Sequence, residues 1–305
     1  MEFVEDIRWE KGMAVSKLVG GLSKAGFQGT QLGRAVEVMK AMKKDGAKIF
    51  LTFTSNMVTG GLRGFFAQVI QEGMAQVIVT TAGAVEEDIM KALGEKFVIT
   101  SFDADDVELH EKGHNRVGNL IITNETYARF ENKFMNILNE IKPEKTTVSE
   151  LLKQVGEKLN DEKSFLFQAA KHNVPVFCPG ITDGSIGFHL YLYKQRHKEF
   201  NVDVIDDFKN ILFTMSPDDK KGIISLGGSI SKHHAILAAL ISGGMDYAVY
   251  FTTSSGHSGS MSGATTNEAK SWGKIKDVSE AVTVYGDATI LFPLAMIAVL
   301  EDLHG

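Results

Sequence analysis

One cysteine, Cys178, in 305 residues leaves no partner for an intrachain disulfide, so the fold must be held by its core and a reducing cytoplasm is the expected compartment. Proline is scarce, at five residues, and no apolar run approaches the roughly 20 residues needed to cross a bilayer. The longest such run, residues 290–300, contains Pro293 and is expected to be a buried element instead. Positive charge is in deficit: 32 Lys and Arg against 38 Asp and Glu give a formal net charge of -6. That balance disfavours a phosphate-binding surface of the kind nucleic-acid binders use and suits a cationic ligand. The opening residues Met1-Glu2-Phe3-Val4-Glu5-Asp6 lack the basic and apolar regions of a secretory signal. Also missing is the G-x-G-x-x-G fingerprint, so spacing alone implies no dinucleotide. No zinc-like spacing is present either, because the adjacent His233 and His234 point about 100° apart on a helix and cannot share one metal.

What is present is a repeated design: a short apolar, β-rich run, a small polar turn, then a helix-period pattern. Lys48-Ile49-Phe50-Leu51-Thr52-Phe53 leads through Thr54-Ser55-Asn56 into a helix expected to end near Gly73. Runs at 76–80, 174–178, 222–226 and 247–251 behave alike. Non-alternating runs of this kind imply a Rossmann-like, mainly parallel sheet with helices on both faces. The stretch 109–161 reads as a helical insertion, and with no linker in view the whole of 1–305 is expected to form a single domain. Ligands of such sheets bind where the strands end, and the turns there are rich in Thr, Ser, Asn and Gly.

Several constellations could carry chemistry. Thr81-Ala82-Gly83 followed by Glu86-Glu87-Asp88 suggests a tight turn and three carboxylates in the first helical turn. Asp88 there is expected to serve the helix dipole, while Glu86 and Glu87 could hold ribose hydroxyls or an ammonium. Gly227-Gly228 allows close backbone approach to a ligand, Ser231 reads as an N-cap, and one of His233 and His234 could accept a proton. The small, polar segment 252–264 reads as a ligand-binding loop, and Asp287 as an N-cap or a ribose-binding carboxylate.

The most telling run is Lys270-Ser271-Trp272-Gly273-Lys274-Ile275. Only about 0.04% of a free lysine is neutral at pH 7, so a nucleophilic lysine needs burial or a nearby cation. Trp272 is expected to form an apolar wall that presents the Lys274 amine into the strand-end crevice.

Together with Thr54-Ser55-Asn56, Thr80-Thr81-Ala82-Gly83, Asn115-Arg116-Val117-Gly118-Asn119, Thr182-Asp183-Gly184-Ser185, Lys232-His233-His234, Asp246-Tyr247-Ala248-Val249-Tyr250 and the run from Glu268 to Lys274, these motifs resemble the deoxyhypusine synthase family over nearly the whole chain. The resemblance implies a homotetrameric, NAD-dependent transferase of the cytoplasm. Such an enzyme moves the 4-aminobutyl arm of the polyamine spermidine to an enzyme lysine and then to a lysine of translation factor 5A. It implies Lys274 and His233 as catalytic residues. NAD would lie near Ser55, Asn56, Thr81, Ala82, Gly83, Glu87, Asp183, Gly228, Thr253, Ser254, Asp287 and Ala288. The amine would lie near Glu86, Glu87, His233, Gly259, Ser260, Glu268 and Trp272.

The chain departs from the family pattern at Phe188, where an aspartate is usual, at Leu237, where an asparagine is usual, and at Ser258 and Met261, where acids are common. Loss of an acidic anchor for a buried ammonium removes about 1.5–3 kcal/mol of charge-assisted contact. Two alternatives therefore stand beside hypusine synthesis: an aminobutyl transferase that uses a free diamine, as in homospermidine synthesis, and a non-catalytic NAD-binding regulatory subunit.

Overall fold

The computed structural model describes residues 2–305, which gather into two compact units. The first comprises residues up to Phe53, Met74–Val79 and Lys209–Gly305; the second comprises Thr54–Gly73 and Thr80–Phe208.

The first unit is built on five parallel strands in the order Ile275–Tyr285, Met245–Thr252, Lys221–Leu226, Lys48–Phe53, Val77–Val79. Their register is fixed by pairs such as Phe50 with Val77 and Ile223, and Val249 with Ile224 and Val282. Every residue of the central strand Lys221–Leu226 is buried, which explains why its sequence does not alternate. Helices Phe27–Lys44 and Ser229–Ile241 pack against these strands. Gly222 admits the first of them closely, since a Cβ there would lie 2.8 Å from Met42 Sδ. The run 290–300 falls inside helix Ala288–His304, which tolerates Pro293 and buries Phe292, Ala295, Met296, Val299 and Leu300 as expected. The outer strand is irregular: Met245 pairs with Ile275 but Tyr247 pairs with Glu280, so residues 276–279 bulge out of the ladder.

Four sequence expectations are corrected by the structure. The helix expected to run to Gly73 is two, Ser55–Thr59 and Arg63–Gln71, separated by Gly60 and Gly61, the latter at φ 92°. Ser231 is not an N-cap; Gly228 is, and the buried Ser231 hydroxyl donates back to the Gly228 carbonyl at 3.0 Å. Helix Ala82–Ala92 begins early enough that Glu86, Glu87 and Asp88 fall beyond its first turn. Asp88 is fully buried and serves no dipole: it pairs with Arg63 and accepts from Ser164 Oγ at 2.7 Å and Leu166 N at 3.0 Å.

The second unit is more than a helical insertion. Helices Asn124–Ile141 and Val148–Lys158 match that reading, the latter closed by a capping box between Thr147 and Glu150. But Val98–Ile99, Leu120–Thr123 and His114–Val117 form a small antiparallel sheet, and Lys145–Thr147 pairs in parallel with Asn201–Asp203. Next to helix Ala82–Ala92, Thr80 N donates to Phe177 O at 2.9 Å, tying the polar turn at Thr81 to the strand Val176–Phe177.

Candidate active site

In the first unit, the residues singled out around Lys274 are brought together by helix Ser229–Ile241 and the crossover from Thr252 to Ile275. The crossover is ordered by its own hydrogen bonds. Thr252 Oγ1 donates to Ser262 O at 2.9 Å, Ser258 and Ser260 share a hydroxyl contact at 2.9 Å, and Ser229 N donates to Ser262 Oγ at 3.2 Å. Gly228 and Gly263 are required for this packing. A Cβ on Gly228 would stand 2.3 Å from Ser262 Cα, and one on Gly263 would stand 2.1 Å from Ser255 O. Thr265 then caps the short helix Thr266–Ser271 through Glu268 N at 3.2 Å, and the chain turns at Gly273 into Lys274.

The backbone of Lys274 does not lie at the carboxyl ends of the strands, as the sequence suggested. It precedes Ile275–Tyr285 at that strand's amino end, where its carbonyl accepts from Met245 N at 3.0 Å. Helix Thr266–Ser271 and the turn at Gly273 have carried the chain back along the sheet before it. Lys274 is 8% exposed and its Nζ lies 5.1 Å from the Trp272 ring centroid. Trp272 is itself 64% exposed, so it is a cation–π platform and not the buried wall expected.

Lys274 has charged company. Burial, and after it the Lys274 charge, holds the His233 imidazole below its ordinary value, so His233 is neutral near pH 7 and free to accept a proton. His234 is pushed lower, to about 4, by burial and by His233. The sequence flagged Lys232 only as part of a motif, yet it is 1% exposed. Its Nζ donates to Ala264 O at 2.7 Å and sits 4.2 Å above the Tyr250 ring centroid. Burial brings it down to about 8, with Glu268 opposing and Lys274 adding to the shift. Of the remaining first-unit candidates, Thr253, Gly259, Ser260 and Glu268 are exposed, Ser254 is half-buried, Ala288 is buried, and Asp287 caps the last helix by accepting from Thr289 N at 2.8 Å.

In the second unit, Ser55, Gly83, Glu86, Glu87 and Gly184 converge. A Cβ on Gly83 would lie 2.8 Å from Ser55 Cβ, and one on Gly184 would lie 2.9 Å from Glu86 Oε2. Glu86 accepts from Ile186 N at 2.8 Å and Glu87 from Thr59 Oγ1 at 2.5 Å; each is 6% exposed and neither has an ion-pair partner among the described residues. Burial raises both carboxyls, Glu87 to about 7. Tyr127, which sequence reasoning missed, is pushed up to about 12 by burial and by these two carboxylates. The Thr81 hydroxyl is buried without a partner, a polar atom left for a ligand at the start of helix Ala82–Ala92. Asn56 and Asp183 are exposed beside these groups in sequence, and Thr54 Oγ1 donates to Asn56 Oδ1 at 2.5 Å. Phe188 is 57% exposed, with ring centroids 5.9 Å from His189 and 6.3 Å from Tyr191.

A family model for deoxyhypusine synthase matches residues 17–299. The chain belongs to the deoxyhypusine synthase family. It is 38% identical over 324 residues to deoxyhypusine synthase of Arabidopsis thaliana, covering 95% of this chain and 88% of the relative. It is 40% identical over 306 residues to a probable deoxyhypusine synthase of Schizosaccharomyces pombe, covering 94% and 87%. A crystal structure of an Entamoeba histolytica protein assigned to deoxyhypusine synthase superposes with a TM-score of 0.69 at 27% identity, over 98% of this chain and 97% of that one. Deoxyhypusine synthases are transferases, which places the chemistry in the group-transfer class. No helix among the described residues is long and apolar enough to cross a membrane, and none of their His, Cys, Asp and Glu clusters could hold a metal ion.

Proposed function

We propose that this chain is an NAD-dependent aminobutyl transferase that takes the 4-aminobutyl arm of spermidine onto Lys274 and passes it to a lysine of translation factor 5A. The observation that carries the reading is Lys274 itself: a lysine 8% exposed, stacked over Trp272, with a neutral histidine and a second buried lysine coupled to its charge. A lysine nucleophile needs shelter from water and a neutral base coupled to it, and burial of Lys274 with a neutral His233 supports both.

Bound NAD would supply a hydride acceptor for the carbon beside the secondary amine of spermidine. The partnerless Thr81 hydroxyl and the close approach at Gly83 fit a nucleotide. In the second unit Ser55, Asn56, Thr81, Ala82, Gly83, Glu87 and Asp183 are its proposed contacts; in the first, Gly228, Thr253, Ser254, Asp287 and Ala288. His233 accepts the amine proton as the carbon–nitrogen double bond forms. Lys274 adds to that carbon and the three-carbon diamine leaves, so the butyl group is held as an imine on the enzyme. An acceptor amine then displaces Lys274, and the reduced cofactor would supply the hydride that leaves a stable secondary amine. Glu86 and Glu87, with Glu268, Gly259, Ser260 and Trp272, are the proposed amine contacts, the buried carboxylates holding the ammonium ends. We further propose that 1–305 acts as one NAD-binding domain in a cytoplasmic homotetramer, in keeping with one family model that runs through 17–299.

The free-diamine reading is kept open by particular residues. Phe188 is an exposed aromatic ring where the family pattern has an acid, and such a ring cannot anchor an ammonium as a carboxylate does. One experiment addresses all three readings. The protein is incubated with NAD and spermidine, reduced with cyanoborohydride, and the peptide containing Lys274 is weighed. A 4-aminobutyl adduct on Lys274 is expected; NAD binding with no adduct from any polyamine would refute the transferase reading and favour a regulatory subunit. Repeating the incubation without reductant, with translation factor 5A or with putrescine as acceptor, identifies the physiological route by product mass.

A further inference from the structure

The first unit has a second cavity, of about 530 Å3, that none of the chemistry above uses. It lies where helix Phe27–Lys44 meets helix Thr266–Ser271 and the bulged part of strand Ile275–Tyr285. Its lining is unusual for a chain of net charge -6: Arg34 and Lys270 contribute two cations, and no aspartate or glutamate faces it. The rest is hydrogen-bonding surface from Gln31, Thr265, Ser279 and Thr283 among others.

The donors there are only partly used. Arg34 makes no hydrogen bond or ion pair among the described residues, so five N–H groups face the cavity and solvent unspent. Lys270 Nζ donates to Asp277 O at 3.0 Å and Ser279 O at 3.5 Å, which pins the bulge but leaves its charge without a counter-ion. Within the bulge the Ser279 hydroxyl is buried with no partner. Two cations facing one cavity repel each other, and an anion between them would reverse that sign.

We propose that this cavity is a binding site for a compact oxyanion, a phosphate or a carboxylate group, with Arg34 as its principal contact and Lys270 as the second charge. Arginine suits the role because its planar fork pairs with two oxygens at once. The site has a route to the chemistry. Thr265 lines it and also caps helix Thr266–Ser271, which carries Glu268 and runs directly into Trp272, Gly273 and Lys274. An occupant would hold that helix in place, so an anionic metabolite could tune the element that positions Lys274. Oxyanion binding itself does not depend on the transferase reading.

Inorganic phosphate and citrate are titrated separately into the full chain at fixed ionic strength, with and without saturating NAD, and heat and melting temperature are recorded. Saturable binding of one anion per chain that persists with NAD present is expected, together with a raised melting temperature. Arg34→Gln should weaken it by about 10- to 100-fold, the value of one lost charge-assisted contact, and Arg34→Lys should restore part of it. Arg34 is exposed, so these variants are expected to fold. Tighter binding of phosphate or of citrate tells which oxyanion the site prefers. Absence of saturable binding by both anions, displacement of both by NAD, or affinity unchanged in Arg34→Gln would overturn the proposal.

Discussion

Replacing Lys232 by methionine separates the cost of a dry cation from the value of its contacts. The fully buried ammonium is brought from 10.5 down to about 8, chiefly by burial. That gap corresponds to about 3 kcal/mol of preference for the neutral form in the folded chain. The sign follows from proton binding. Below pH 8 both folded and unfolded chains hold the proton, and the full cost is present. Between pH 8 and 10.5 only the unfolded chain holds it, so the fold gains stability; above 10.5 neither does and the cost is gone. Methionine fills a similar volume and does not titrate. At pH 7 the variant escapes the burial cost but loses the 2.7 Å bond to Ala264 O and the contact with the Tyr250 ring, so its stability should lie within about 1–2 kcal/mol of the parent. Towards pH 10.5 the parent should pull ahead by about 3 kcal/mol more. Urea unfolding of both proteins at pH 7, 8, 9 and 10 measures this. A difference that stays flat across the series would refute the assignment of Lys232 as a buried amine that titrates near 8.

Glu87→Gln is expected to act with the opposite pH sense. Its carboxyl is raised from 4.5 to about 7 by burial, so the cost of its charge is absent below pH 4.5 and complete above 7. The glutamine variant should therefore gain about 2–3 kcal/mol at pH 8 and nothing near pH 4 by denaturant unfolding, while NAD affinity falls in calorimetry. Arg63→Ala leaves the buried Asp88 carboxylate without its cation and removes the 2.6 Å contact to Asp161, so a loss of about 3–5 kcal/mol is expected in the same unfolding assay, with Lys274 adduct formation retained in the fraction that folds.

The parallel sheet was legible because its strands are short apolar runs punctuated by glycine, serine and threonine, a pattern that only a doubly covered sheet requires. The run Lys221–Leu226 shows this best, being buried at every position. Less legible was the small antiparallel sheet. Val98, Ile99 and Val117 are exposed, and strands of two to four residues carry too little periodicity to read. Asp88 was misread for a different reason: its partners Arg63 and Ser164 lie 25 and 76 residues away, and no local pattern announces them. Site residues that sit in family motifs could be named from the chain, but their state could not. Nothing in Lys232-His233-His234 distinguishes a solvated lysine from one sealed under Tyr250, and the orphaned Thr81 hydroxyl has no sequence signature at all.

Each unit keeps side chains of like charge away from water, at a cost that shows in the opposed shifts of Lys232 and Glu87. The first buries Lys232 and Lys274, whose charges repel; the second buries Glu86 and Glu87 without a paired cation. Packing does not require this, since Met and Gln would fill the same volumes more cheaply. The chemistry proposed for this chain does require it. A lysine nucleophile must be able to shed its proton, and a polyamine's ammonium ends need carboxylates that are not locked in ion pairs. Below about pH 7 Glu87 takes up a proton, and above about pH 8 Lys232 gives one up, so both charges coexist only in a narrow band near neutrality. Burial that costs stability at Lys232, Glu86 and Glu87 is what the proposed chemistry of a polyamine-binding transferase would require.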